Sequence, residues 1–542
     1  MRNSLKHLVV GLLLLIGAGA CADLDVINQN DPDASRTLGT SSDVVALIAG
    51  AYNTLFAVNN SYSGAGMAYN NAAFQYCSPW ANCGQEKYGR LPRISFINDI
   101  ADNEYDYMYY SWFRSYRAIA AVADGLKSLE REEIKADLTT EEISRATAWA
   151  KFNQGIGHAT IAAIFDRGFV VDETTDLTVT QEPMGYEDLM DVAMGYFDEA
   201  INLSQGASWS LPLNWMQVVL TGPELARVAH SLKARYRPAV ARTKAERQAV
   251  NWDAVIADVD AGVTDDLIAY YDDYGGWSMD VLGIGTDYGW ANTCYWIWGM
   301  ADQAGDYQEW LALPNAGKYN NLPNGDPVLI VTTDNRWPSG TTVEEQRANQ
   351  GRYFQIVTEG TEGETWARAD RGTWRWSWYD NYRGEQYWYG SSADYYQPEI
   401  LLTEMRLVKA EGLYWKGSKQ AAADIVNETR EAAGLNKIVG PAFDAASNTS
   451  CVPKLPNGQC GDLLEMLKWE KRSENSLKGI LSAQIYFDSR GWGDLYKDTF
   501  QQLPIPCGEI QVLQMLPCDN DFGGPGGRFA SPVSTYNYPG EG

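Results

Sequence analysis

From Gln397 to Leu435 the chain runs QPEILLTEMRLVKAEGLYWKGSKQAAADIVNETREAAGL, and this stretch decides the fold. Leu401, Met405, Val408, Gly412 and Trp415 recur at steps of four and three, which makes one apolar stripe on a helix. Pro398 fits the first helical turn, where a missing N–H costs nothing. Gly417 and Ser418 break the pattern, and Ala422, Ile425, Thr429 and Ala432 begin a second stripe. Gly434 suits a left-handed helix end, and Ala410 and Gly412 are small where helices must approach closely. A helical hairpin of this kind cannot bury its apolar face alone, so it predicts stacked, tetratricopeptide-like pairs.

The same residues carry a resemblance. PEILLTEMRLVKAEGLYWKG followed by AAADIVNETREAAGL resembles the C-terminal hairpin of the SusD/RagB family of surface glycan-binding lipoproteins. Tyr486-Phe487-Asp488-Ser489-Arg490-Gly491-Trp492-Gly493 resembles that family's aromatic-Asp-x-Arg-x-Trp-Gly segment. Leu503-Pro504-Ile505-Pro506 with Glu509-Ile510 resembles its LPIP ending, and Gly50-Ala51-Tyr52-Asn53 a run in its first helix. The Ala-rich Lys151–Phe165 resembles a helix that the family ends near a Gly-Asp turn. The resemblance implies a non-catalytic nutrient-binding protein on the outer-membrane surface. It would cap a TonB-dependent, SusC-like transporter and pass an oligosaccharide to the pore by hinged closure.

Composition is compatible with that expectation. A net charge of −27 over 542 residues disfavours nucleic acid and anionic lipid as partners but tolerates neutral ligands. Twenty Trp and 32 Tyr supply flat apolar faces with a polar handle, suited to sugar rings or to a large aromatic core. With only His7, His158 and His230, a His-based zinc site and His-dependent nucleophilic schemes are disfavoured. No phosphate-binding glycine loop stands in a convincing context, and Asn321–Asp326 does not follow a calcium-loop pattern, so no metal or cofactor is called for. Asp272, Asp273, Asp287, Asp380 and Glu385 sit among aromatics, which permits a glycoside hydrolase as the alternative. A surface protein that binds peptide or protein is a further alternative.

Residues 1–20 read as a signal peptide: Arg2 and Lys6, an apolar run from Leu8 to Ile16, then small residues before Cys21. That cysteine is the expected lipidation site, carrying acyl chains such as palmitate that anchor the chain to the outer membrane. Residues 21–40 read as a tether, 41–264 as the N-terminal helical part and 265–395 as a loop-rich aromatic ligand lobe. Residues 396–515 complete the helical fold, and 516–542 form a Gly/Pro-rich tail. The fold class is therefore mainly α, with helical hairpins and a lobe containing a small β-hairpin. That hairpin is expected between Thr373–Tyr379, where Trp374, Trp376 and Trp378 alternate, and Gln386–Gly390; Gln355–Val357 reads as a further strand.

Two aromatic segments are the candidate ligand platform: Asn59–Arg93, read as one long loop, and Asp265–Trp298. Within them, Trp80, Asn82, Trp277, Tyr288, Trp290, Tyr295, Trp296 and Trp298 are the candidate ligand-binding residues. Local disulfides are expected between the near neighbours Cys77 and Cys83, Cys451 and Cys460, and Cys507 and Cys518. Cys294 is left over as a buried thiol.

Overall fold

The computed structural model describes residues 38–541, apart from 62, 78–84, 103–104, 273–275, 278–280, 282–290, 315–320, 358–376, 388–393, 476–482, 515–517 and 519–520. Cys21 and residues 1–37 lie outside the described part.

Among the described residues the longer helices of the first half are Ser41–Ala49 (α1), Ala51–Asn60 (α2), Ala65–Ala72 (α3), Tyr105–Leu129 (α4), Thr140–Ile164 (α5), Tyr186–Ser204 (α6), Gly222–Ala239 (α7) and Trp252–Asp260 (α8). Their starts are written in the sequence. Thr139 opens α5 with a capping box, its hydroxyl accepting from the Glu142 N–H while Glu142 reaches back to the Thr139 N–H. Thr221 and Glu224 repeat the device for α7. Pro238 lies inside the last turn of α7, and Ala239 and Val240 keep helical backbone beyond it.

α5 is the buried centre of this half. It packs between α4 and α6; α6 packs on α7 and α7 on α8. Two glycines allow the close approach. A methyl at Gly155 would stand 2.9 Å from the Phe197 ring of α6, and one at Gly157 would stand 2.6 Å from Ile119 of α4. The row continues through the second half, where Leu402–Trp415 (α10) packs on α8 and Lys419–Ala432 (α11) folds back on α10. At Gly412 a methyl would meet Ile256 at 3.0 Å, so this small residue serves the seam with α8. Leu463–Glu474 (α12) and Gln484–Trp492 (α13) close the fold. The expected stack of helical hairpins is thus a continuous row.

Between α8 and α10 lies the lobe, with the four-residue helix Tyr295–Trp298 (α9) and antiparallel ribbons. Leu267–Asp272 (β1) pairs with Asp394–Ile400 (β4), and Phe354–Ile356 (β2) with Tyr379–Asn381 (β3). Two expectations are corrected here. Pro398 belongs to strand β4, opposite Ile268, and α10 begins only at Leu402. The partner of the Tyr379 strand is Phe354–Ile356, while Tyr382–Tyr387 turns as a 3-10 helix; Thr373–Trp376 and Trp388–Gly390 lie outside the described residues.

The motifs that carry the family resemblance hold the frame together. Asp488 and Glu411 both pair with Arg247 at 2.7 Å and with Lys471, all of them fully enclosed, and Trp492 donates to Glu411 at 2.8 Å. Arg490 spends its donors on the carbonyls of Ala163, Ala239, Ala241 and Gln501, satisfying the ends of α5 and α7. Leu503 docks on the same helix end, donating to the Ile164 carbonyl at 2.9 Å.

Candidate functional site at the meeting of two aromatic segments

The segments 59–93 and 265–298 are far apart in the chain and are fastened together in the fold. From α2, Asn53 donates to the Gly276 carbonyl at 3.0 Å, and the rings of Tyr52 and Phe56 stand 6.1 and 5.5 Å from Trp277. Beyond α3, Phe74 stacks on Trp296 at 5.7 Å, and the Gln75 carbonyl accepts the Trp298 indole N–H at 2.6 Å. Cys77 and Asn292 then exchange two backbone hydrogen bonds, of 2.7 and 3.0 Å. A disulfide between Cys77 and Cys294 closes the seam, 217 residues apart in sequence.

That bond corrects the expected pairing of Cys77 with Cys83 and the free thiol at Cys294; Cys83 lies outside the described residues. Proximity in sequence misled because the partner arrives through the tertiary fold. Cys451 bonds to Cys460 and Cys507 to Cys518, bridges across short loops.

The candidate ligand residues divide into two groups. Trp80, Asn82, Tyr288 and Trp290 lie outside the described residues. Trp277, Tyr295, Trp296 and Trp298 are enclosed, at 5, 0, 0 and 1% exposure, and cannot offer a face to a sugar. Trp296 is ringed by Trp310, Tyr496 and Tyr538, and Trp298 by Trp337, Phe354 and Trp469. The Tyr295 hydroxyl donates to the Val328 carbonyl at 2.6 Å. A four-residue helix packed on all sides leaves no amphipathic period, so the sequence cannot distinguish these core rings from a platform. Asn59–Arg93 also departs from a plain loop, since it holds α3 and the short helix Gln85–Gly89.

One aromatic position was missed. The β1–β4 ribbon turns Ala269, Tyr271, Gln397 and Glu399 inward and Ile268, Tyr270 and Tyr396 outward. Tyr270 and Tyr396 are direct cross-strand partners, their rings 5.3 Å apart and tilted by 55°. Tyr396 is 42% exposed. The alternation in Asp394–Ile400 fits a strand, but Pro398 fits a first helical turn equally well, so the residues alone do not separate the two. Inside the ribbon, Glu399 accepts from the hydroxyls of Tyr271 at 2.6 Å and Tyr52 at 3.1 Å. Burial, and then the Glu399 charge, push both phenols well above their ordinary range, so they stay donors.

Among the described residues no group of three or more His, Cys, Asp or Glu is placed to hold a metal ion. Away from the seam, a 440 Å³ cleft is lined by Phe113, Tyr116, Phe169, Leu177, Val179 and Leu513 among others, with Arg117 also on its wall.

No family model and no curated protein matches the chain. Solved structures do. A SusD-like carbohydrate-binding protein from Bacteroides fragilis superposes with a TM-score of 0.53 at 14% identity, covering 93% of this chain and 96% of its own. A second SusD-like protein from that organism gives 0.51 at 14% identity, with 85 and 88% covered. Surface glycan-binding protein A from Bacteroides uniformis gives 0.51 at 11% identity, with 87 and 97% covered. The architecture is therefore a mainly α, tetratricopeptide-like stack with an inserted lobe. More particularly, the chain has the SusD-like fold.

Proposed function

We propose that the protein is a non-catalytic, cell-surface glycan-binding subunit. It captures an oligosaccharide on the two aromatic segments and delivers it to a SusC-like, TonB-dependent transporter. The observation that carries this reading is the seam at Cys77–Cys294. It joins Cys77 to Cys294, described residues that lie in sequence beside 78–84 and close after 282–290, the stretches that contain Trp80, Asn82, Tyr288 and Trp290. Aromatic faces gain about 25 cal/mol per Å² of sugar C–H surface they cover, which gives capture while leaving release possible. The carbohydrate and glycan binding named for solved proteins of the same fold supports the ligand class. Lipidation at Cys21 after removal of residues 1–20 supplies the anchor in this reading.

A transporter partner is supported by the cleft on α4. Phe113, Leu177 and Val179 are 44, 67 and 56% exposed around it, an apolar surface of the kind that protein contacts cover.

The test is a glycan array probed with the chain from residue 22, followed by calorimetric titration of the best neutral oligosaccharide. Trp80→Ala and Trp290→Ala should each weaken binding about tenfold or more with unchanged melting temperature. Absence of any glycan binding, or turnover of the bound glycan, sinks the reading.

A further inference from the structure

We infer that the tether docks on its own chain, with Leu24, Val26 and Ile27 seated on the floor of the cleft on α4. This rests on the lipidation reading above and goes beyond it. The docked segment shortens the leash between an anchor at Cys21 and the folded part, which keeps the exposed rim of the cleft beside the membrane.

The cleft suits an apolar segment. Trp112 and Phe169, both buried, line it from α4 and from the loop after α5, and Leu513 lines it from the C-terminal side. The Tyr116 hydroxyl donates to the Phe169 carbonyl at 3.0 Å and accepts from the Phe169 N–H at 2.5 Å, which fixes the floor. The short helix Cys507–Val512 brings Glu509 to the wall and is held by the Cys507–Cys518 bond. A preset surface loses little freedom when a segment arrives. A volume of 440 Å³ is in the range of sites that enclose several groups at once. Further exposed apolar side chains adjoin it in the chain. Val512 precedes Leu513, and Ile97 and Ile100 sit on the loop that Asn98 ties to Ile505 and Cys507 at 2.9 and 2.8 Å.

The tether has the right length, starting point and chemistry. Leu38 is buried, and Arg131, just past the end of α4, donates to its carbonyl at 3.0 Å. From Leu129 back to Phe113 is about 24 Å along the helix at 1.5 Å per residue. From Leu38 back to Ile27 the chain spans up to about 36 Å, so the apolar residues reach the cleft with slack. The loop carrying Leu177 and Val179 runs beside this route. The Thr178 hydroxyl, and more weakly Lys127 of α4, hold the Asp176 carboxyl below its usual range. In the tether, Asp23, Leu24, Asp25 and Val26 alternate, so an extended segment puts Leu24 and Val26 on one face and both acids on the other. Arg117 on the wall and Lys127 on the route offer the acids partners, while Glu509 faces from the other wall. Once Leu24 is seated, Cys21 stands within about 10 Å of the cleft, against about 56 Å of slack from Cys21 to Leu38 without docking. The shorter leash raises the local concentration of the rim at a membrane partner.

The experiment puts p-benzoylphenylalanine in place of the exposed Leu177 in the chain from residue 22 and maps the photo-crosslinks by mass spectrometry. Crosslinks within one chain to residues 22–30 are expected, and the same probe in place of Val439, exposed elsewhere, should give none. Leu24→Asp with Val26→Asp should cut the yield about tenfold or more at unchanged melting temperature, and Leu24→Ile with Val26→Leu should retain it. Crosslinks between two copies, or none to the tether, overturn the proposal. So does an undiminished yield in the double Asp variant. The readout needs neither acylation nor glycan, so its failure leaves the glycan-binding reading standing, and loss of glycan binding with crosslinks intact overturns that reading alone.

Discussion

Trp298 lies beside Trp337 and Phe354, meets Trp469 edge-on at 5.5 Å and gives its indole N–H to a carbonyl from the other aromatic segment. Removing that ring empties a dry cavity, so Trp298→Ala should cost about 3–5 kcal/mol in urea denaturation. A variant of native stability would show that Trp298 is not a core ring. His158 carries a different signal. It is fully enclosed, with Nδ1 2.8 Å from the Gln154 carbonyl and Nε2 accepting from the Val171 N–H at 3.2 Å. Only the neutral ring with its proton on Nδ1 satisfies both partners. Burial lowers its pKa from 6.5 to about 4. The unfolded chain therefore binds this proton at higher pH than the native chain does. The stabilisation is complete above the unfolded value and declines as pH falls from 6.5 toward 4, by on the order of 3 kcal/mol. Stability measured across that window should fall less steeply in His158→Gln than in the wild type; parallel curves would refute the assignment. Neither residue's role was legible beforehand. A lone buried His and an enclosed Trp leave no period in the sequence, whereas the stripe from Leu401 to Trp415 did.

At the scale of elements, the helical pairs were legible because caps and stripes are local: Thr139 with Glu142, Thr221 with Glu224. The ribbon β1–β4 was not, because Pro398 is compatible with a first helical turn and its pairing with Ile268 depends on a segment more than a hundred residues earlier. The Cys77–Cys294 bond was hidden for the same reason. Its long span gives it weight: closing a loop of 217 residues constrains the unfolded chain by about 5.4 kcal/mol on the chain-entropy model, against roughly 3 kcal/mol for spans near ten residues. Replacing both Cys77 and Cys294 by Ser should therefore lower the melting temperature more than replacing Cys451 and Cys460. It should also weaken glycan binding, since the seam sets where both aromatic segments start. If binding survives the first double variant unchanged, the seam does not position the ligand site.

Across the whole molecule, apolar packing among the described residues falls into three clusters, one through the helical row, one in the lobe and a small one between α10, α11 and α12, and a buried charge cluster ties lobe to helices. Arg336 pairs with Asp334 at 2.7 Å and reaches Glu470 at 2.8 Å and Glu474 at 3.1 Å on α12. Arg336→Ala leaves three carboxylates enclosed without their shared cation. It should cost about 3–5 kcal/mol and separate a lobe transition from the helical one in scanning calorimetry. The charge of the whole chain bears on the ligand in the same way. At −27, the field that keeps the protein soluble repels polyanions and does nothing to a neutral sugar. Salt screens that field over a Debye length of about 10 Å at 0.1 M. Affinity for the neutral glycan should then stay constant between about 0.05 and 0.5 M sodium chloride, while any residual binding of dextran sulfate should strengthen as salt rises. Neutral-glycan affinity that collapses with salt would mean that charge pairing, not ring stacking, holds the ligand.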